Sequence, residues 1–335
     1  MNSKLLLMVL MALGLIMWGC EEDDGGNDGE VTAVYASLDL VEQGGTVEFD
    51  AEVDGDGDVE YSASAGNFAD AIWTAPSADG TVTITASLGD TEVTTTVVVA
   101  NVPAATSQWS FNEDGRDGIG SEDLTYGGTT DIDPAGMVGG AILFAGENLE
   151  DGEASDLSGV AFGPDLSSLS MEAADAYTFS LWINTAESVG LLFGKTYAGA
   201  YTPYPDGTFG DGSAKCIFMG DWFGETEDST GLVFDNSWVN GFEHIGTLAD
   251  ENWHHVAVTK TDTDYYTIYL DGVASALDEV FGTTPDIEQV ITIGGGQEAA
   301  AYGPWPGMFA GMMDEIVFWQ SALTEAQINA IYDAH

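Results

Sequence analysis

The chain has 335 residues, with 57 Asp and Glu against 5 Lys and Arg and a formal net charge of −52. A field of that sign argues against nucleic acid and anionic lipid as partners, since both are bound by Lys and Arg that neutralise phosphate, and it leaves calcium and neutral ligands. Self-repulsion of this size destabilises a compact state unless salt screens it, which points to a saline or divalent-rich habitat.

Residues 1–19 read as an export signal. Lys4 precedes an apolar run from Leu5 to Trp18, too short to span a bilayer comfortably, and Gly19, Cys20 and the acids Glu21 to Asp24 follow. This resembles a bacterial lipoprotein signal with Cys20 as the lipidated first residue of the mature chain. Met17 and Trp18 depart from the residues usual there, and the alternative is an ordinary secretory signal. Acids just after the lipidated Cys resemble the address that carries some bacterial lipoproteins to the outer face of the outer membrane. The resemblance therefore implies an outer-membrane protein, lipid-anchored at Cys20 and facing outside the cell, held by buried methylenes at about 0.8 kcal/mol each. With Cys20 spent on lipid, Cys216 stands alone and no intrachain disulfide is available.

Residues 20–30 carry no large apolar side chain and serve as an acidic tether. From 31 to 101, alternating runs rich in Val, Thr and Ile recur, at Thr46–Val53, Thr81–Ala86 and Val93–Val99, with Gly and Asp between them. That period predicts antiparallel strands in a small β-sandwich. The stretches Gly66-Asn67-Phe68, Ile72-Trp73-Thr74-Ala75-Pro76 and Gly80–Thr85 resemble bacterial immunoglobulin-like spacer domains, with Trp73 in the core. Asp54-Gly55-Asp56-Gly57-Asp58 places oxygens at turn positions 1, 3 and 5, but Val59 and Ala65 stand where a calcium loop needs Gly and Glu. A solvated hairpin turn is the expectation.

Beyond the break Asn101–Ala105, residues 105–335 form one larger β unit with strands at Tyr177–Ile183, Trp253–Thr259, Tyr265–Leu270 and Val290–Ile293. Thr324-Glu325-Ala326-Gln327 is a capping box, with Leu323 and Ile328 as its staple, so a short helix closes the chain. Trp109–Glu113 with Asp117-Gly118, Gly140–Gly146, Trp253–Thr259, Tyr269–Val273, Ile293–Gly296 and Phe309–Trp319 together resemble a laminin-G-like, concanavalin A-like jelly roll. The expected fold class is thus all-β: a small immunoglobulin-like sandwich, then a concanavalin A-like jelly roll with a short C-terminal helix.

Many members of that fold bind calcium between an N-terminal acidic loop and an acidic pair in the last strand. The resemblance places Asp117 and Asp314 at those positions, with Asp114 a further candidate, so a structural calcium ion is expected. Period-two geometry puts Asp314 and Glu315 on opposite faces, and likewise His254 and His255, so neither pair can act as one catalytic site. The Glu-x-Asp-x-x-Glu pattern of laminarinase-like relatives is absent. Aromatic residues from Tyr197 to Trp238 and in Tyr302–Pro306 lie amid Gly, Pro and Asp, a composition suited to stacking on sugar faces. Trp222 and Trp305, with Tyr204 and Trp238, are the candidate platforms. The sequence reads as a non-enzymatic surface lipoprotein that binds a polysaccharide or glycoprotein. The alternatives are a protein-adhesion or structural envelope module and, further off, a glycan hydrolase or lyase.

Overall fold

The Val- and Thr-rich N-terminal runs fold into eight strands: β1 (Glu30–Ala36), β2 (Leu40–Glu42), β3 (Thr46–Asp54), β4 (Glu60–Ala63), β5 (Asn67–Ala69), β6 (Ile72–Thr74), β7 (Gly80–Leu88) and β8 (Thr91–Ala100). This computed structural model describes residues 29–112, 114–126, 130–145, 161–165, 169, 171, 175–187, 190–197, 215–219, 232–236, 240–243, 248–261, 266–277, 289–294 and 309–335. Two four-stranded sheets result, in the orders β1-β3-β6-β5 and β2-β8-β7-β4. Val34, Val47, Phe49 and Trp73 of the first pack on Val41, Val82, Ile84, Val97 and Val99 of the second. Trp73 is fully buried and its indole N–H donates to the Ala65 carbonyl at 2.9 Å. Gly66, at φ +79°, lies under that indole, where an added Cβ would fall 2.4 Å from Nε1.

Two details differ from the sequence reading. The Asp54–Asp58 segment is exposed as expected, but it leads from β3 in one sheet to β4 in the other and is not a hairpin turn. In addition β2 pairs with β8 in parallel, Leu40 opposite Val98. The chain changes sheets between β1 and β2, so β2 meets the last strand of the unit without a hairpin to force antiparallel pairing.

The second unit comprises β9 (Ser107–Trp109), β10 (Thr125–Tyr126), β11 (Asp131–Asp133), β12 (Ala141–Ala145), β13 (Ala161–Asp165), β14 (Tyr177–Asn184), β15 (Gly190–Tyr197), β16 (Lys215–Met219), β17 (Leu232–Asn236), β18 (Asn240–Glu243), β19 (Trp253–Lys260), β20 (Tyr266–Leu270), β21 (Val273–Leu277), β22 (Gln289–Ile293) and β23 (Ala310–Trp319). One sheet runs β11-β12-β23-β14-β19-β20-β21 with β9 also on β23, and the other runs β10-β13-β22-β15-β16-β17-β18. Between them lies an apolar core that includes Trp109, Phe144, Phe179, Phe193, Ile217, Val258 and Phe318. This is the concanavalin A-like sandwich anticipated from the sequence.

Central β14 is buried on both faces, so it reads as a continuous apolar run rather than an alternation. Tyr177, Phe179, Leu181 and Ile183 enter the core. On the other face Thr178 accepts the Leu323 N–H at 2.8 Å, and Trp182 stacks on Tyr332 at 5.9 Å. The cover there is α1 (Glu325–Ala334), which starts at the expected capping box: Gln327 N–H donates to Thr324 Oγ1, and the Gln327 side chain accepts the Thr324 N–H at 2.9 Å. The helix packs on more than the sandwich that precedes it. It also touches β7 and β8, and Thr81 donates to the Ala334 carbonyl at 2.7 Å. Leu40, Val98 and Ala100 of the N-terminal unit therefore share one apolar cluster with Val317, Trp319, Leu323, Ile328 and Ile331. Thr324→Ala should lower stability by about 1 kcal/mol, read as a shifted denaturant midpoint with unchanged slope.

Candidate functional site

The seam between the two units brings together three buried carboxyls, those of Asp39, Asp314 and Glu315. It begins with a β-bulge in the last strand. Ser180 of β14 pairs with Val317, but Trp182 pairs with Asp314, so two steps on β14 oppose three on β23. Glu315 takes up the extra residue at φ +49°. The simple alternation that would send Asp314 and Glu315 to opposite faces is broken there. Both carboxyls are buried, and both face Asp39 of the β1–β2 connection, which is itself fully buried.

Each carboxyl in this group is held. Asn112 donates Nδ2 to Asp39 Oδ2 at 2.5 Å and accepts the Gly140 N–H at 3.0 Å, and Gln108 donates Nε2 to Glu315 Oε2 at 3.2 Å. Asp314 accepts the N–H groups of Val138 at 2.9 Å and Glu315 at 2.7 Å. Asp39, which Ser110 also bonds, lies against Glu315, and Asp39 Oδ1 and Glu315 Oε1 have no other hydrogen-bond partner, an arrangement that favours a proton held between the two carboxyls. Burial, reinforced by the charge of Glu315, pushes Asp39 well above the usual carboxylate range. Burial and the charge of Asp314 do the same to Glu315. Asp314 is raised by burial and by Asp39 against the pull of its backbone donors. His335 Nε2 stands 4.0 Å from Glu315, beyond hydrogen-bond reach, and burial lowers His335 to about 4. Burial, with His335 nearby, takes His255 down to about 3.

The expected calcium ligands are not gathered into one shell. Asp117 is buried, and its oxygens accept the N–H groups of Gln108 and Ile119 at 3.1 Å and of Glu122 at 3.3 Å, so it organises its own loop. Asp114 holds Arg116, with Nε 2.7 Å from Oδ2. Asp314 belongs to the seam. Among the described residues no three His, Cys, Asp or Glu side chains form a group able to hold a metal ion. The two histidines of β19 keep separate company. His254 lies 2.8 Å from Asp271 and 3.0 Å from Asp250, contacts that raise it against the lowering effect of burial, whereas His255 packs on Trp182. Tyr204, Trp222, Trp238, Trp305 and Cys20 lie outside the described residues.

Beside the acid group the seam opens into a cleft of about 600 Å³. One wall is the outer face of β1 and β3. Tyr35 and Asp50 are directly opposed across that ladder, and Glu48 follows on the same face two residues away. Tyr61 closes one side, its hydroxyl pKa raised by burial and by Asp50. The other wall is the segment that carries Ser110, Asn112, Asp114 and Arg116. Gly118 lets the two units meet at its edge, since an added Cβ would lie 2.2 Å from the Ser37 carbonyl oxygen. Nothing local in the sequence flags this cleft, because its walls lie on units with separate hydrophobic patterns.

Residues 158–329 match the family described as the concanavalin A-like lectin/glucanases superfamily. No curated protein matches the chain. Among solved structures, domain 4 of AbnA, an extracellular arabinanase from Geobacillus stearothermophilus solved with arabinotriose, is 20% identical with a TM-score of 0.46, over 69% of this chain and 98% of that one. The binding domain of Paraclostridial Mosquitocidal Protein 1 is 12% identical with a TM-score of 0.41, over 63% and 47%. For the botulinum neurotoxin serotype G binding domain the figures are 9%, 0.45, 68% and 50%. The chain thus spans about half the length of those two binding domains. With the family match extending over half of its residues, the chain belongs to the concanavalin A-like lectin/glucanases superfamily.

Proposed function

We propose that this is a lipid-anchored outer-membrane protein that captures carbohydrate at the cell surface without cleaving it. In this reading Cys20 carries the anchor, the N-terminal unit is an immunoglobulin-like spacer, and the concanavalin A-like sandwich meets a polysaccharide or the glycan of a glycoprotein. The superfamily includes both lectins and glucanases, so the choice rests on the acids. The observation that carries it is the fate of Asp314 and Glu315. A retaining glycosidase needs two carboxyls about 5–5.5 Å apart across an accessible sugar. Here the adjacent pair of the last strand is sealed in the seam against Asp39, with backbone and side-chain amides on its oxygens.

The test is a glycan array probed with the mature chain at high salt, which suppresses charge artefacts. Reproducible hits on one polysaccharide class are expected, with binding reduced by Trp222→Ala or Trp305→Ala if those tryptophans are the platforms. A folded chain that leaves the array blank overturns carbohydrate capture in favour of protein adhesion, and release of shortened glycan overturns the non-catalytic part.

A further inference from the structure

We propose that the cleft between the N-terminal unit and the 110–118 segment is a binding subsite for a neutral oligosaccharide, held by both units at once. The proposal rests on the carbohydrate reading above but places a contact at residues other than Trp222 and Trp305, which that reading names.

Size and walls come first. A space of about 600 Å³ falls within the range of small-ligand sites, roughly 300–1,000 Å³, and domain boundaries are favoured places for them. Its walls are preformed. The adjoining seam is locked by the apolar cluster around Trp319 and Ile328 and by the buried Asp39 group, and Gly118 fixes the approach of the second wall to Ser37. Little ordering entropy is then left to lose when a ligand enters.

Chemistry selects the ligand class. Tyr35 and Tyr61 are half-buried, and Tyr61 is braced by Phe68 at 5.7 Å and Phe49 at 6.4 Å. Such rings offer an apolar body and a polar tip to the alternating C–H and O–H surfaces of a sugar. Around them stand acceptors, Glu48 and Asp50, and a donor, Arg116, whose side chain is 66% exposed. An anionic ligand would face Glu48, Asp50 and Asp114 within a chain of net charge −52. A small cation would meet the carboxylates but leave the tyrosine rings and the Arg116 guanidinium unused. Hydroxyl groups donate to the carboxylates and accept from the guanidinium, so a neutral polyol satisfies both.

The experiment is calorimetric titration of the mature chain with maltohexaose, cellohexaose, xylohexaose and arabinohexaose, with hexagalacturonate and spermidine as anionic and cationic controls. The variants are Asp50→Ala/Arg116→Ala in the cleft and, separately, Trp222→Ala/Trp305→Ala. Asp50 and Arg116 are both exposed, so an unchanged melting temperature verifies that the cleft variant is folded. The expected result is binding of at least one neutral hexasaccharide, weakened at least tenfold or so by the cleft pair, as loss of charge-assisted hydrogen bonds implies. Unchanged affinity in the cleft variant overturns the subsite while leaving carbohydrate capture in place, and most plainly so if the tryptophan variant loses binding. Tighter binding of either control overturns the neutral class. If no glycan binds by titration or on the array, the carbohydrate reading fails and the subsite with it.

Discussion

Raising the pH from about 6 to about 9 in roughly 1 M salt lowers the melting temperature of this protein, because the fold holds at least one proton that the unfolded chain releases. Asp39, Asp314 and Glu315 all have folded pKa values above the ordinary carboxylate range, burial being the first cause for each. A raised carboxyl contributes fully at low pH, and its contribution is lost as pH climbs from the unfolded value, about 4, towards the folded one. Each retained proton gives a slope of about −1.4 kcal/mol per pH unit across that window. Two buried histidines act in the opposite sense. His255 and His335 are lowered to about 3 and about 4, so their contribution is present above about 6.5 and is lost as pH falls towards those values. Above about 6.5 both stay neutral in either state, and what remains is the carboxyl slope with that of His254, whose raised pKa acts in the same direction and lies outside the seam.

The groups that face one another here come from every packed element: Asp39 from the β1–β2 connection, Gln108 and Asn112 from β9 and the residues after it, Asp314 and Glu315 from β23, and His335 from the end of α1. Asp39→Asn replaces the shared proton with an amide N–H that can donate to Glu315. The variant should therefore melt near the native temperature at about pH 6 and lose less of it at about pH 9, with a slope shallower than the native one. A native melting temperature that is level or rising over that interval would sink the account, as would an Asp39→Asn slope as steep as the native one. High salt matters because the chain's self-repulsion also grows with pH, and a Debye length of about 3 Å leaves only contacts as close as those in the seam.

Local signals were readable in the sequence. Thr324 and Gln327 stand three residues apart, so their reciprocal bonds need no tertiary knowledge. Trp73 sits in a period-two run and is buried. The strands expected at Tyr177–Ile183 and Trp253–Thr259 differ from β14 and β19 by one residue at their ends. What failed to show was geometry that period cannot encode. Alternation separates Asp314 from Glu315, and one extra residue in β23 rejoins them. Ser37-Leu38-Asp39-Leu40 reads as an ordinary polar turn, although Asp39 is buried against a strand some 275 positions away. The family resemblance directed attention to Asp117 and Asp314, and both are deeply engaged, but with backbone N–H groups rather than with each other. Tyr35 and Asp50 alternate like any solvent-facing pair until a second unit is set against them.

Trp319→Ala should cost about 3–5 kcal/mol and do more than loosen one sandwich. The indole is 1% exposed, lies in the apolar cluster that joins β8, β23 and α1, and donates its N–H to the Pro103 carbonyl at 3.1 Å in the segment linking the two units. Truncation leaves a cavity between the units and an unpaired carbonyl in their connection, so the loss falls on their mutual packing. Calorimetry separates this from ordinary core damage. If the cluster around Trp319 is one core shared by both units, the native chain unfolds in a single transition, and the variant splits it, with the N-terminal sandwich melting first because its own core is the smaller. Trp319→Phe retains most of the apolar volume and forfeits only the hydrogen bond, so about 1–2 kcal/mol and an unsplit transition are expected. A variant that melts lower but still in one step would show that the seam follows the jelly roll passively. The buried carboxyls of Asp39 and Glu315 would then have to couple the units without help from the apolar cluster, which the Asp39→Asn melting curve tests independently.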